Sequence, residues 1–209
     1  IIKIDPQTRF TLIIDPKSGD YLTVQGEANL SFDMSPNGQM SLMGKYQLND
    51  GAYRMNLYEL VSKEFDLLPG SSIVWSGDPL DADMDIIGAY QVQTSSVDLM
   101  ASEIDLSNAA VVNSYRQKLP FGVKLHIGGQ ILKPEIAFEI DLPDRYKNAN
   151  DGTVYNRLQR LNNNESELNL QVFSLIVFNS FLPSGVAAES GNRTSELARN
   201  SVSNMLSNQ

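Results

Sequence analysis

The sequence predicts a mainly β protein: an antiparallel meander with one apolar and one polar face, followed by a helical C-terminal segment. Three observations carry that reading. Apolar or small residues alternate with polar ones without a break from Leu22 to Met34. Shorter alternating runs follow, separated by proline, glycine and asparagine turn signals. After Pro143 the alternation gives way to helical spacing.

In the first strand Leu22, Val24, Gly26, Ala28, Leu30, Phe32 and Met34 stand opposite Thr23, Gln25, Glu27, Asn29, Ser31 and Asp33. A period of two held this long makes one extended strand with a dry and a wet face. At ~3.3 Å per residue it approaches ~40 Å, roughly twice an ordinary strand. Ser35-Pro36-Asn37-Gly38 supplies a fixed φ and a residue tolerant of positive φ, so the chain turns there. Met40, Leu42, Gly44, Tyr46 and Leu48 resume the alternation against Ser41, Lys45, Gln47 and Asn49, with Met43 alone breaking it. Asp50-Gly51 reads as another turn, after which Tyr53, Met55 and Leu57 face away from Arg54 and Asn56.

The pattern then loosens. Phe65 and Leu67 precede a Pro69-Gly70 turn, and Ile73 and Trp75 precede Gly77-Asp78-Pro79. Ala82, Met84 and Ile86 alternate with Asp81, Asp83 and Asp85. From Ser95 to Lys118 the register dissolves into a polar stretch, read as a long surface loop. Val123, Leu125 and Ile127 then alternate with Lys124 and His126; beyond Gly128-Gly129, Ile136, Phe138 and Ile140 alternate with Glu135, Glu139 and Asp141. Pro134 and Pro143 bracket this last strand, at positions where proline is tolerated. Further on, Val154, Leu158 and Leu161 fall at helical spacing. Glu167 to Leu182 is apolar on nearly every side, is too long for an ordinary buried strand and has no internal turn signal, so a buried helix is expected, stopped by Pro183. Ser184 to Arg193 reads as a linker, and Thr194 as the N-cap of a final helix with Leu197, Val202, Met205 and Leu206 on its apolar stripe.

Composition narrows the function. The chain has 209 residues, 42% of them hydrophobic, a net charge of −9 and an isoelectric point near 4.6. That is enough apolar material for a core, and the acidic balance speaks against nucleic acid, whose phosphates need a basic face. There is no cysteine, which removes disulfides, thiolate metal sites and thiol nucleophiles together. A single histidine, His126, leaves little room for a histidine-based metal site or triad. The first residues, Ile1-Ile2-Lys3-Ile4, carry neither an initiator methionine nor a leader, so the chain reads as a piece of something longer. No run approaches the ~18 apolar residues that span a bilayer. The composition points to binding or scaffolding rather than catalysis.

Motif tests agree. Asp81, Asp83 and Asp85 occupy the first, third and fifth places of a calcium loop, but Ile86 and Val92 stand where glycine and glutamate are required, so three carboxylates on a wet strand face is the simpler reading. Gly38, Gly44 and Lys45 miss the spacing of a phosphate loop, and Tyr46 replaces its hydroxyl ligand to magnesium. No Gly-x-Ser-x-Gly elbow is present, and His126 lies beside Lys124 on the polar face. Trp75, in phase with Ile73, reads as a buried anchor; Asn164-Glu165-Ser166 and Asn192-Arg193-Thr194 are sequons relevant only in a eukaryotic secretory context. No catalytic residue, metal ligand or cofactor site is expected. What survives is the dry face. Periodicity alone favours the core of a closed sandwich or barrel; the long strands, with only C-terminal segments to cover them, lean towards an open interaction surface.

One run is more specific. Phe65-Asp66-Leu67-Leu68-Pro69-Gly70-Ser71-Ser72-Ile73-Val74-Trp75-Ser76-Gly77-Asp78-Pro79, continuing through Asp81-Ala82-Asp83-Met84-Asp85-Ile86 to Ala89-Tyr90, resembles the C-terminal domain of the TamB family. Leu119-Pro120-Phe121 with Leu132-Lys133-Pro134-Glu135-Ile136, the apolar stretch Phe173 to Pro183, and Ser195 to Gln209 (in the manner of Bacteroidetes members) are similar as well. The resemblance implies an elongated β half-pipe, taco-like, with an apolar concave face, in the group of AsmA-like, bridge-type lipid-transfer proteins. It implies a non-enzymatic periplasmic conduit for phospholipid moving to the outer membrane, belonging to a full-length protein anchored in the inner membrane. The alternative it implies is a chaperone-like scaffold for outer-membrane β-barrel proteins, autotransporters among them, working with a POTRA-bearing assembly barrel of the TamA or BamA type. The partners expected are thus phospholipid acyl chains and that barrel, with no cofactor.

On that basis residues 1–143 form the half-pipe, interrupted by the loop 95–118, and 144–209 form a mostly helical segment covering or capping the groove. The lining expected is Leu22, Val24, Leu30, Phe32, Met34, Met40, Leu42, Leu48, Met55, Leu57, Phe65, Leu67, Ile73, Trp75, Met84, Ile86, Val123, Leu125, Ile127, Ile136, Phe138 and Ile140.

Overall fold

The computed structural model describes residues 1–15, 19–57 and 61–183. The linker from Ser184, the helix capped by Thr194 and the sequon at Asn192 lie outside the described residues. Nine strands form one sheet: β1 Ile2–Ile4, β2 Arg9–Asp15, β3 Asp20–Met34, β4 Met40–Leu57, β5 Val61–Leu67, β6 Ser72–Gly77, β7 Ala82–Ser95, β8 Lys118–Gln130 and β9 Lys133–Asp141. Helices α1 Val97–Met100, α2 Ala109–Tyr115, α3 Thr153–Asn162 and α4 Glu165–Phe178 complete the described chain. The architecture is mainly antiparallel β with C-terminal helices. Contacts divide it into two compact units, Ile1–Tyr90 with Leu125–Ala137, and Gln91–Lys124 with Phe138–Gln209.

In the first unit the sheet is built in lanes. β1 and β2 run one after the other along β3, Ile4 opposite Ala28 and Arg9 opposite Gln25. β5 and β6 likewise share one lane along β4, Asp66 opposite Ala52 and Ser72 opposite Gln47. The Pro69-Gly70 segment is therefore a step out of a lane, not a reversal of direction. The expected turn at Asp50-Gly51, by contrast, does not form. β4 continues through it for 18 residues, paired with β3 from Met40 opposite Met34 to Arg54 opposite Tyr21. The register slips once, because Gln25 faces Asp50 while Gly26 faces Leu48, leaving Asn49 as an extra residue. Such a β-bulge changes parity: even residues of β4 face the dry side before it, odd residues after it. That is why Tyr46 and Leu48, then Tyr53 and Met55, all belong to one face. Met43 keeps its place in the alternation and simply exposes an apolar side chain on the wet face.

The breaks in the lanes line up. Residues 5–8 interrupt the first lane, Gly26 faces the bulge at Asn49, and 68–71 interrupt the fourth, so a transverse crease crosses the unit. Close approach at the crease demands glycine: a Cβ on Gly26 would overlap the Gln47 carbonyl oxygen, and one on Gly51 that of Thr23.

The second unit is a strand-and-helix core of its own. The stretch expected as a loop over 95–118 holds two short helices, α1 and α2; Asn108 caps the second by accepting from the Ala110 and Val111 amides. α4, expected over Glu167 to Leu182, begins and ends slightly earlier. Asn164 caps it by accepting from the Glu167 amide, and Asn179 in the left-handed region ends it before Pro183 is reached. Its buried residues include Gln171, whose amide holds the returning chain at Leu182 by both its N–H and its C=O. Phe121 meets the Phe181 ring edge-on at 4.8 Å. Arg157, buried on α3, reaches Glu103 at 3.4 Å and pairs with Glu167, tying α3 to α4 and to the segment after α1.

Candidate functional site

The candidate site is the dry face of the first unit. Its buried cluster consists of Leu22, Val24, Ala28, Leu30, Tyr46, Leu48, Leu67 and Ile86, with Ile4, Leu42, Tyr53, Ile73, Trp75, Met84 and Ile127 packed against it. Every one of these residues sits on a strand. The cluster is therefore made by side chains of neighbouring strands that meet one another on this side of the sheet.

Exposure along the face is graded. Near the crease Leu48 is 1% exposed, and Phe65, Leu67 and Ile86 are buried with it. Towards the β3–β4 hairpin the same face opens: Phe32 is 40% exposed, Met40 51% and Met34 59%. Beyond the crease the face turns polar. Lys63 pairs with Met55 across β4 and β5, and its ammonium donates to the Tyr90 hydroxyl at 2.7 Å. Asp20, in phase with Leu22, accepts from the Tyr53 hydroxyl and the Asn56 amide at 3.2 and 2.8 Å. The face thus has an open apolar end, a centre filled by its own side chains, and a polar end.

The expected lining divides accordingly. Leu22, Val24, Leu30, Leu48, Met55, Phe65, Leu67, Ile86 and Leu125 are buried; Leu42, Ile73, Trp75, Met84, Ile127 and Ile136 are half-buried; Phe32, Met34 and Met40 are exposed. Val123, Phe138 and Ile140 belong to the second unit, where Val123 and Ile140 are fully buried in its core. The side chain of Leu57 lies outside the described residues. Trp75, expected as a buried anchor, is only half-buried, its indole N–H donating to the Pro79 carbonyl at 3.1 Å. Asp81, Asp83 and Asp85 are exposed, and among the described residues no group of three potential ligands gathers for a metal.

Three residues at this face stand outside the expected lining, although Tyr46 is in phase with it. Phe10 stands opposite Val24, so directly opposed residues put it on the dry side, where its ring meets Tyr46 edge-on at 6.3 Å. The alternation of Phe10 and Leu12 is the signal that marks β2. Tyr46 is 5% exposed, and its hydroxyl has no hydrogen-bond partner among the described residues; burial pushes its pKa above the usual 10.0. Ser71 bridges the crease. Its hydroxyl donates to the Leu68 carbonyl at 2.8 Å and accepts from the Ile87 amide at 3.0 Å, while its carbonyl accepts from the Leu48 amide at 2.9 Å. The run Leu68-Pro69-Gly70-Ser71 therefore has a physical role: it leaves the lane and repairs the ladder it breaks.

The fold and the face define a mainly antiparallel β protein whose sheet carries one apolar side among the described residues. The family model described as the TamB C-terminal domain matches residues 1–209, and the chain belongs to that family. No curated protein matches it. Membership places the chain in the translocation and assembly module that serves the outer membrane, an envelope-associated, non-enzymatic system. No described helix is long and apolar enough to cross a membrane.

Proposed function

We propose that the dry face of the first unit is a hydrocarbon-accepting surface, one segment of a conduit that carries phospholipid acyl chains towards the outer membrane. The observation that supports this is the graded exposure: an apolar face that is open at Phe32, Met34 and Met40 and continuous with the buried centre. An acyl chain makes no hydrogen bonds, so it gains from any apolar surface, about 0.8 kcal/mol per buried CH₂. A continuous face spreads that gain along a path instead of concentrating it in one trap. In the conformation described, the chain reaches the hairpin end directly, and deeper passage requires the central side chains to part. The protein itself carries out no chemistry on the lipid. The full-length protein is anchored in the inner membrane and works in the periplasm with an outer-membrane assembly barrel. Mass spectrometry of ligands retained after gentle purification tests the reading: glycerophospholipid in near-stoichiometric amount is expected, and a lipid-free protein that also fails to take up lipid from vesicles contradicts it.

A second reading rests on a different feature. β1 and β2 pair only with β3 among the described residues, so their other edge presents open backbone groups beside the half-exposed Phe10 and the exposed Ile13. A nascent barrel strand would add to that edge by β-augmentation. Photocrosslinkers at Thr11 and Ile13 should then capture barrel-protein strands or the barrel partner; crosslinks to lipid alone reject this role.

A further inference from the structure

The hydroxyl of Tyr46 is the one polar atom of the dry face that the fold leaves unanswered among the described residues. Its ring lies within the buried cluster, between Ala28 and Ile73 in register and against Phe10. The other polar groups of that face are paired: the Trp75 indole to Pro79, the Tyr53 hydroxyl to Asp20, the Tyr90 hydroxyl to Lys63. Phenylalanine fills the same volume without burying an unpaired hydroxyl, so a tyrosine here is unfavourable unless something else pairs with it.

We infer that Tyr46 is a polar anchor point in the groove, donating its hydroxyl proton to the ester carbonyl of a glycerolipid. This rests on the conduit reading above. Tyr46 lies in the filled centre, so the carbonyl reaches its hydroxyl only once the central side chains part; the placement then fits the chemistry of such a ligand. Tyr46 stands six residues inward from Met40 along β4, about 20 Å at strand rise. That span is long enough to hold the ~15 Å of hydrocarbon in one leaflet. A chain whose carbonyl meets Tyr46 therefore lies with its tail towards the open end at Phe32, Met34 and Met40. The glycerol and headgroup then leave over the half-exposed Phe10, on the lane at the sheet edge. The site selects for an acceptor at the head of an otherwise apolar chain. A phenol is protonated, and so a donor, throughout the physiological range at its ordinary pKa of 10.0, and burial moves it further up.

The test uses the whole 209-residue chain. A fluorescent acyl probe is displaced by either of two phosphatidylcholines with identical chains, one ester-linked and one ether-linked, the second lacking both carbonyls. The wild type should bind the ester about fivefold more tightly, the worth of one hydrogen bond. Tyr46→Phe should erase that preference, keep the ether affinity unchanged, and unfold at the same or a higher urea midpoint. Equal affinity for the two lipids in the wild type overturns the anchor and leaves the conduit standing. Displacement by neither lipid overturns the conduit and the anchor together. A lower urea midpoint in Tyr46→Phe shows that the hydroxyl already serves an internal partner, a buried water included, and this too overturns the inference.

Discussion

The graded exposure of the dry face makes a prediction that separates binding from folding. Leu30 and Met34 share one strand and one face, yet Leu30 is 6% exposed and Met34 59%. Replacing Leu30 by aspartate forfeits about 1.5–3 kcal/mol of side-chain burial and places a carboxyl opposite Gly44 in the cluster that holds Ala28 and Tyr46, at a further ~1–3 kcal/mol for an unpaired polar group. The sum, about 2.5–6 kcal/mol, is a large share of the 5–15 kcal/mol typical of a domain. Met34→Asp forfeits less than half of a comparable burial and leaves its carboxylate in water, so the loss stays below ~1 kcal/mol. With an m-value of ~2 kcal/mol/M the urea midpoints should fall by about 2 M and by less than ~0.5 M respectively. The single tryptophan, Trp75, is packed against the same cluster and reports unfolding of the first unit by its fluorescence. Met34→Asp should nevertheless weaken uptake of a fluorescent acyl probe severalfold, since it puts charge at the open end. Equal losses of stability at the two sites, or unchanged probe uptake in a folded Met34→Asp, would refute the gradient.

Other consequences follow from the crease and from the second unit. Ser71→Ala removes the acceptor of the Ile87 amide and should cost about 1–3 kcal/mol, read by urea unfolding; no loss would mean that the bridge is dispensable. Gly26→Ala forces the β3 and β4 backbones apart at the Gln47 carbonyl and should cost about 1–3 kcal/mol, with deletion of Asn49 worse because it reverses the facing of Tyr53 and Met55. Burial draws the pKa of Lys124 down, but its hydrogen bond to Asp141 and the charges of Glu139 and Asp141 outweigh this and hold it above 10.5. A folded pKa raised in this way stabilises wherever lysine is protonated in the unfolded chain and stops doing so as pH rises through it. Lys124→Met should therefore lower stability at pH 8, by no more than about 1 kcal/mol, and the gap should close as the pH rises through the raised lysine pKa; a gap that persists beyond it assigns the loss to packing.

Much of the fold is legible in the residues because alternation is a direct record of which side is dry. β3 shows this best: its pattern from Leu22 to Met34 needs nothing beyond itself, and the strand forms there. The bulge at Asn49 is harder to see, since Asn-Asp-Gly serves a hairpin and a continuing strand equally well. The clue was length, because a partner ending at Leu48 leaves the Leu22 end of β3 without a neighbour. β5 and β6 are separate strands as read, but alternation does not show that they share one lane, a Pro-Gly pair being able to step the chain aside as well as turn it back. The short helices α1 and α2 leave almost no periodic trace: α2 buries no residue, and its only marker is the cap Asn108. For the candidate site, periodicity identified the face but not its gradient. Whether Leu30 or Phe32 meets water depends on how the lanes curl, which is a tertiary property. Nor does alternation reveal that Tyr46 lacks a partner, or that Val123 and Ile140 serve the core of another unit.

The central claim is that hydrocarbon reaches the dry face and not merely any exposed apolar side chain. Met40 and Met43 make the comparison almost free of other variables, being 51% and 54% exposed on one strand and on opposite faces. Vesicles carrying a phospholipid with a photoreactive group on its acyl chain, irradiated with the whole chain and mapped by peptide mass spectrometry, should label Met40 together with Phe32 and Met34 and leave Met43 bare. Equal labelling of the two methionines, or labelling of Met43 alone, would contradict it.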